Sequence, residues 1–129
     1  MLTFTTLASG SLGNAALVSC GDTHILLDAG ISAKRIAAGL AELGIGPRQL
    51  SAILLTHEHS DHVSGLRVLS KKAGAPIYAT RPTLWEWYKR NQCDEVKALF
   101  RPQEAGIGVQ IGSLWAEPFP TPHDAAGSV

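Results

Sequence analysis

Three of the five histidines fall within six residues of the sequence, in the segment Thr56-His57-Glu58-His59-Ser60-Asp61-His62. Imidazole nitrogens with a carboxylate oxygen suit Zn²⁺, Mn²⁺ or iron, and they disfavour metals that prefer sulfur and Ca²⁺ sites built from oxygen alone. Because side chains alternate along an extended chain, His57 and His59 lie on the same side of it, and Asp61 and His62 follow where the chain turns into a helix. The segment therefore predicts a metal site, with zinc as the first choice.

The position of this segment at a helix start favours the neutral imidazole that metal binding requires. A helix N-terminus carries a partial positive charge, and this charge and partial burial both oppose protonation of His62. The alternative, a group of solvated loop histidines, is disfavoured because such a cluster rarely arises by chance. His24 matches no such pattern and lies in a predicted strand, so we expect it to be structural.

The elements before the segment predict that it follows a buried strand. The run from Ala52 to Leu55 is continuously apolar, which is typical of a strand buried on both faces in a parallel sheet. Ahead of it, Ser32 can cap a helix that ends at Gly44. The apolar residues of that helix recur at helical spacing: Ile36, Leu40 and Leu43.

The first part of the chain is predicted to be a β-meander. Leu2 to Leu7 is an apolar-rich strand that ends in a turn-forming cluster from Ser9 to Asn14. Two further strands, Ala16–Cys20 and His24–Leu27, flank Gly21-Asp22, which suits a tight hairpin turn because glycine tolerates positive φ.

After His62 the pattern alternates between helix and strand. Leu66, Leu69 and Ala73 predict a second helix closed by Gly74, and Pro76 to Ala79 predicts another strand. The expected arrangement is an α/β one.

The last part of the sequence predicts a third helix from Pro82, a short helix capped by Asp94 and running through Leu99, and a terminal hairpin. The third helix places three apolar residues on one face, which we interpret as core, with a base-stacking platform as the alternative: Leu84, Trp85 and Tyr88. The hairpin pairs Val109–Ile111 with Leu114–Phe119 and leads towards His123.

Composition indicates one compact domain over residues 1–129. Charged residues are 17%, hydrophobic residues are 45%, and the chain holds 13 Gly and 7 Pro, so disorder and coiled coil are disfavoured. With 11 basic and 11 acidic residues, no net field attracts nucleic acid or a membrane. Between Arg67 and Arg101, however, eight basic residues face three acidic ones, a balance of +5, which we interpret mainly as a solvated helical face.

The sequence also bears on location. The N-terminus has no signal-peptide pattern and no apolar run approaches a membrane span, so we expect a soluble, cytoplasmic protein without a membrane partner. Cys20 and Cys93 lie far apart and form no CxxC pair, and we expect both to be packed thiols.

The motifs carry a family resemblance. Thr56 to His62 resembles the T-H-x-H-x-D-H signature of the metallo-β-lactamase-fold hydrolases, Leu27-Asp28-Ala29-Gly30 resembles their D-x-G turn, and Pro122-His123-Asp124-Ala125 resembles their next metal histidine. Within that superfamily, the pattern Ser9-Gly10-Ser11-x-Gly13-Asn14, together with the stretch from His57 to Gly65-Leu66, is most similar to the YycJ/WalJ-type exonucleases and their phosphodiesterase relatives. The resemblance implies an α/β (α+β) fold, the N-terminal half of an αβ/βα sandwich with a mixed sheet and flanking helices.

The resemblance implies a binuclear metal centre. His57, His59 and His123 would bind the first divalent ion, and Asp61 and His62 would begin the second site and are the predicted catalytic residues. The ions would be zinc, with manganese or iron as alternatives. The implied mechanism is two-metal hydrolysis, in which a bridging hydroxide attacks the phosphorus of a nucleic acid or another phosphodiester.

Asp28 resembles a residue that lies behind the metal ligands and accepts a hydrogen bond from a ligand imidazole, with a capping carboxylate at a strand end as the alternative. No substrate-binding residue is assigned. Two other functions stay open: a thioester, lactone or lactam hydrolase on the same fold, and a non-catalytic truncated metal-binding half-domain.

The ligand set is incomplete by the standard of the family. Two metal ions need roughly seven or eight donor positions, and the chain offers five protein donors. The family's bridging Asp and last His have no counterpart after Asp124. We therefore expect an incomplete domain whose exposed sheet face and edge would favour self-association or a complementing C-terminal half.

Overall fold

The computed structural model describes residues 2–8, 14–56 and 63–118. These residues form a mixed α/β fold, as predicted, in which a six-stranded sheet carries helices on one face and a small hairpin on the other. The strands of the large sheet are β1 (Leu2–Ala8), β2 (Ala15–Cys20), β3 (Thr23–Leu27), β4 (Ala52–Leu54), β5 (Ile77–Thr80) and β6 (Phe100–Gln103). The helices are α1 (Ala33–Glu42), α2 (Val63–Ala73), α3 (Arg81–Asn91) and α4 (Asp94–Lys97), with a 3₁₀ turn at Pro47–Gln49.

The six strands lie in sequence order across the sheet. The first three form the predicted antiparallel meander, and β3 to β6 are parallel to one another. Gly21 adopts a φ of 60° in the turn between β2 and β3, as the hairpin prediction requires. His24 lies within β3, where its Nδ1 is 2.7 Å from the Oγ of Ser19, which confirms the expected structural role.

Helix α1 begins and ends where the sequence predicts. The Oγ of its cap, Ser32, accepts a hydrogen bond from the backbone N–H of Arg35 at 3.2 Å, and Gly44 has a φ of 75° just after the end. Ile36 and Leu40 are fully buried. The expectation that Leu43 shares their buried face is wrong, because the helix stops at Glu42 and the side chain is exposed.

Helix α2 packs very closely on the loop that follows β3. A methyl group at Gly65 would collide with the carbonyl oxygen of Ile31 and would press on that of Ala29. Only glycine permits this approach of backbone to backbone. Leu66 and Leu69 of the same helix are buried in the core, as predicted.

The helix after β5 corrects the predicted apolar face. Leu84 is buried, but it is buried together with Thr83 and Trp87, whereas 56% of Trp85 is exposed. The ring of Trp87 packs edge-on against Phe100 of β6. Strand β6 was not predicted, and it pairs in parallel with β5.

The short helix α4 also differs from the prediction. Its cap is Cys93 and not Asp94, and it ends at Lys97 and not at Leu99. Cys93 is buried and Cys20 is half-buried, and both are free thiols as expected.

The predicted hairpin consists of β7 (Val109–Ile111) and β8 (Leu114–Ala116), while Phe119 lies outside the described residues. It packs on the sheet face opposite the helices, where Ile111 meets Ile25 and Ala52. The expectation of an exposed second face is therefore wrong for this part of the sheet. At the edge strand β1 the expectation is confirmed, because Leu2 and Phe4 are exposed. Within the described ranges, no helix is long and apolar enough to cross a membrane.

Candidate metal centre

The turn after β3 lies beside the carboxyl end of β4. Asp28 adopts a left-handed φ of 60°, a conformation that aspartate tolerates better than most residues. Its backbone N–H donates to the carbonyl oxygen of Leu54 at 2.7 Å. Because β3 and β4 are parallel, this bond continues their pairing by one residue and places Asp28 where β4 ends.

The carboxylate of Asp28 binds both polar groups of Thr56. Its Oδ1 accepts a hydrogen bond from the backbone N–H of Thr56 at 2.9 Å, and its Oδ2 accepts one from the Thr56 hydroxyl at 2.9 Å. Hydrogen bonds to a charged acceptor are stronger than those between neutral groups. Asp28 therefore fixes the residue that immediately precedes His57.

This contact bears on the two interpretations of Asp28. The carboxylate does cap the chain as it leaves β4, which the capping alternative predicts. It also holds the start of the histidine segment, which is a positioning role. That Asp28 also accepts a hydrogen bond from the imidazole of a metal ligand stays a prediction.

The predicted ligands themselves lie outside the described residues: His57, His59, Asp61, His62 and His123. Among residues 2–8, 14–56 and 63–118, no three side chains of the metal-binding types come together. The predicted centre therefore depends on segments 57–62 and 119–129, and its ligand assignment stays a prediction.

The structure holds both flanks of segment 57–62. Thr56 is fixed by Asp28 on one side, and on the other side α2 is packed through Gly65 onto the carbonyl of Ile31. Gly30, in the same turn, donates its N–H to the carbonyl oxygen of Asn14 at 2.8 Å. Asn14 and Thr56 thus both form hydrogen bonds with the turn from Asp28 to Gly30.

A cleft of about 220 Å³ opens between the carboxyl end of β4 and the hairpin. Its lining includes Thr56, Leu27, Leu54, Gln103 and Glu117. The Nε2 of Gln103 is buried and has no hydrogen-bond partner among the described residues. Sequence reasoning missed Gln103 because it missed the strand at whose end this residue lies.

The donor types in the sequence that follows Thr56 fit a divalent transition metal. Zinc, manganese and iron all accept imidazole nitrogens and carboxylate oxygens as ligands. Asp28 fixes Thr56, the residue directly before the first of these predicted ligands, His57. Orienting contacts behind the ligands are a regular feature of protein metal sites.

A comparison with protein families places the chain in a superfamily. The model of the metallo-beta-lactamase superfamily matches residues 8–124, which span the Asp28 turn, the histidine segment and His123. The chain belongs to this superfamily. The predicted fold resemblance is thereby confirmed.

Two curated members of the superfamily are similar over almost all of the chain. The exodeoxyribonuclease WalJ of Streptococcus pneumoniae is 38% identical over 95% of this chain and 46% of its own length. The exodeoxyribonuclease YycJ of Bacillus anthracis is 38% identical over 97% of this chain and 47% of its own length. These matches confirm the resemblance to the YycJ/WalJ group, and the chain spans about half the length of both relatives.

The solved structures show the same fold. The Rm3 metallo-beta-lactamase superimposes with a TM-score of 0.78 at 24% identity, over 97% of this chain and 51% of its own. At this level of identity the likeness concerns the fold.

Proposed function

We propose that the full-length protein is a metal-dependent phosphodiester hydrolase that acts on DNA. The observation that carries this proposal is the pair of hydrogen bonds between Asp28 and Thr56, which fixes the start of the histidine segment at the carboxyl end of β4. Membership of the superfamily and the similarity to two exodeoxyribonucleases support the phosphodiester class over acyl substrates.

The residues proposed to hold the metals are those of the sequence motif. His57, His59 and His123 bind one divalent ion, and Asp61 and His62 begin the site of a second. When bound, the two ions supply Lewis-acid stabilisation of the negative charge that develops on a phosphodiester during hydrolysis. Zinc is the proposed metal, with manganese and iron as the alternatives.

The part that the described residues play is to orient this segment. Asp28 uses both carboxylate oxygens on Thr56, so the backbone enters the segment in one direction. Gly65 allows α2 to pack against the loop 29–31 and thereby limits where the segment can end. Preorganised ligands bind a metal more tightly because less conformational entropy is lost on binding.

Substitution of the proposed ligands tests the reaction class. In the full-length protein, we expect His57→Ala and Asp61→Ala to abolish cleavage of DNA and of bis-p-nitrophenyl phosphate. His24→Ala is the matched control, because His24 is a histidine with a structural hydrogen bond to Ser19. Undiminished activity of the ligand variants would refute the proposal.

A substrate panel separates the proposal from its alternatives. Turnover of thioesters, lactones or lactams with none of phosphodiesters would assign an acyl hydrolase to the same site. No turnover of either class by the metal-loaded full-length protein would favour a metal-binding domain without catalysis.

Conversion of Asp28 tests its positioning role. Asp28→Asn keeps the size of the side chain and its tolerance of the left-handed backbone, but it removes the charge that Thr56 contacts. We expect metal affinity to fall about 10- to 100-fold, the range typical for loss of an orienting contact. Asp22→Asn, at an exposed turn, is the control. Equal metal affinity of the two variants in a competition titration would show that Asp28 does not position the site.

We also propose a domain organisation and a location for the protein. Residues 1–129 are proposed to be one incomplete domain, to be completed by a C-terminal half or by self-association. The protein is proposed to act in the cytoplasm.

A further inference from the structure

A second surface, outside the candidate metal centre, has the chemistry of a binding site. An open groove of about 300 Å³ lies between α3 and β6. We call it the Trp85 groove, and the residues that define it are Arg81, Trp85, Tyr88, Lys97, Phe100 and Pro102. With 56% of its surface exposed, Trp85 offers water a large aromatic face. Exposed aromatic surface of this kind commonly marks an interaction site.

The aromatic pair in the groove is held in place before any ligand binds. The rings of Trp85 and Tyr88 are stacked, with centroids 6.1 Å apart and an angle of 25° between their planes. The Tyr88 hydroxyl donates to Oδ1 of Asp94 at 2.6 Å, and the Nζ of Lys97 lies 4.6 Å from the centre of the tyrosine ring. The hydrogen bond to Asp94 also raises the pKa of Tyr88, so the ring stays neutral.

The charges around the groove favour an anionic ligand. The residues that line the groove include two cations, Arg81 and Lys97, and no carboxylate. Of the acidic side chains nearby, Glu86 pairs with Lys89 at 3.0 Å, and Asp94 accepts a hydrogen bond from Tyr88. Glu104 lines the neighbouring pocket together with Arg81. Among the described residues, no acidic side chain forms an ion pair with Arg81 or Lys97. The groove therefore combines an aromatic platform with two cations that can bind phosphate, one of which, Lys97, also lies over the Tyr88 ring.

The groove continues towards the candidate metal centre. Arg81 directly follows β5, so it lies at the carboxyl ends of the parallel strands, as Thr56 does. It lines both the Trp85 groove and a neighbouring pocket that contains Gln103. Gln103 in turn lines the cleft at Thr56. The cleft at Thr56 and the Trp85 groove are thus neighbours of one intermediate pocket, with which they share Gln103 and Arg81 respectively.

We propose that the Trp85 groove binds single-stranded nucleic acid, with a base stacked on Trp85 and phosphates at Arg81 and Lys97. This inference rests on the proposed nuclease function. A single strand fits because its base faces are free to stack, whereas those of a duplex are covered by neighbouring bases. The structure thereby favours the alternative interpretation of the aromatic residues of α3, because Trp85 is not part of the core.

The test is binding of a fluorescein-labelled phosphorothioate oligothymidylate to the full-length protein with its metals chelated, so that binding is measured without cleavage. We expect Trp85→Ala to weaken binding roughly 5- to 100-fold, the range for loss of one stacked base. Trp85→Phe, which keeps an aromatic face, should restore much of the affinity. The control is Trp115→Ala, because Trp115 is similarly exposed, at 63%, but lies outside the groove.

The cations give a second measurement. Arg81→Ala and Lys97→Ala should each reduce the slope of log affinity against log salt by about 0.7, the value for one phosphate contact with a single strand. Lys34→Ala, on the exposed surface of α1, should leave the slope unchanged.

Three results would overturn the proposal. The first is an affinity of Trp85→Ala equal to that of Trp115→Ala. The second is a salt slope that the two cation variants do not change. The third is a change of oligomeric state, measured by mass photometry, in place of a change in affinity, which would assign the groove to contact with a second copy. Because no cleavage is measured, loss of DNA binding here and failure of the proposed hydrolysis are distinguishable.

Discussion

The two faces of the six-stranded sheet are built from similar rows of apolar side chains but are covered differently. On one face, Leu17, Leu26, Ile53 and Ile77 lie opposite one another on β2 to β5, and the helices bury them almost completely. On the other face, a matching row runs from Phe4 through Val18 and Ile25 to Ala52. There the hairpin of β7 and β8 covers Ile25 and Ala52, whereas 65% of Phe4 is exposed.

The difference follows from how each cover is connected to the sheet. Helices α1 and α2 are the crossovers between successive parallel strands, so the sequence that builds the sheet also covers one of its faces. The cover on the other face comes from a distant part of the chain and is held by few contacts. The hydroxyl of Thr23 accepts a hydrogen bond from the N–H of Ser113 at 3.0 Å, and the hydroxyl of Ser113 donates to the carbonyl of Cys20 at 3.1 Å.

The largest difference in stability should be between a core residue of the helix-covered face and an edge residue of the other. We expect Ile53→Ala to lower the free energy of unfolding by about 2–5 kcal/mol, because it leaves a cavity under the helices. Phe4→Ala should change it by no more than about 0.5 kcal/mol, because that side chain is mostly in water. Urea unfolding of the full-length protein measures both. Equal costs would show that further chain or a second copy covers Phe4.

The helix-covered face also depends on the close approach of α2. Gly65→Ala places a methyl group against the carbonyl of Ile31, and we expect a loss of about 1–3 kcal/mol from the displacement of α2. Gly46→Ala is the control, because its nearest neighbour would be the Gln49 side chain at 3.8 Å. The control should be neutral or slightly stabilising. A stable Gly65→Ala variant would mean that α2 does not pack as described.

The smallest effect should come from the hairpin. Gly112 and Gly21 have similar positive φ values of 54° and 60°, so alanine costs about 1 kcal/mol of backbone strain at either position. At Gly112 the methyl group would also collide with Thr23, whereas the space beside Gly21 is open. We therefore expect Gly112→Ala to be more destabilising by about 1 kcal/mol, a cost typical of a lost docking hydrogen bond. Equal melting temperatures of the Gly112→Ala and Gly21→Ala variants would show that the contact with Thr23 does not stabilise the hairpin.

Much of the fold could be predicted because its signals are local. Ser32, Gly44 and Gly21 fix a helix start, a helix end and a turn through their own backbone preferences, and the structure confirms all three. The errors arise where burial depends on a distant partner. Trp85 and Trp87 are two residues apart on one helix, and the packing of that helix on the core, which includes the contact of Trp87 with Phe100 on the unpredicted strand β6, decides which of them is buried.

The candidate site shows the same limit. The pattern at Asp28 predicts a turn near the metals, but the contact with Thr56 requires the pairing of β3 with β4. Gln103 has no motif around it, and only the parallel pairing of β6 with β5 places it beside the cleft.

The measurement that tests the central claim most directly is the metal content of the full-length protein, by inductively coupled plasma mass spectrometry after purification without chelators or a histidine tag. We expect two divalent ions per chain in the unmodified protein. When His57 and His59 are both replaced by alanine, at least one ion should be lost, with an unchanged far-UV circular dichroism spectrum. Full metal content in that double variant would contradict the assignment of the histidine segment as the metal centre.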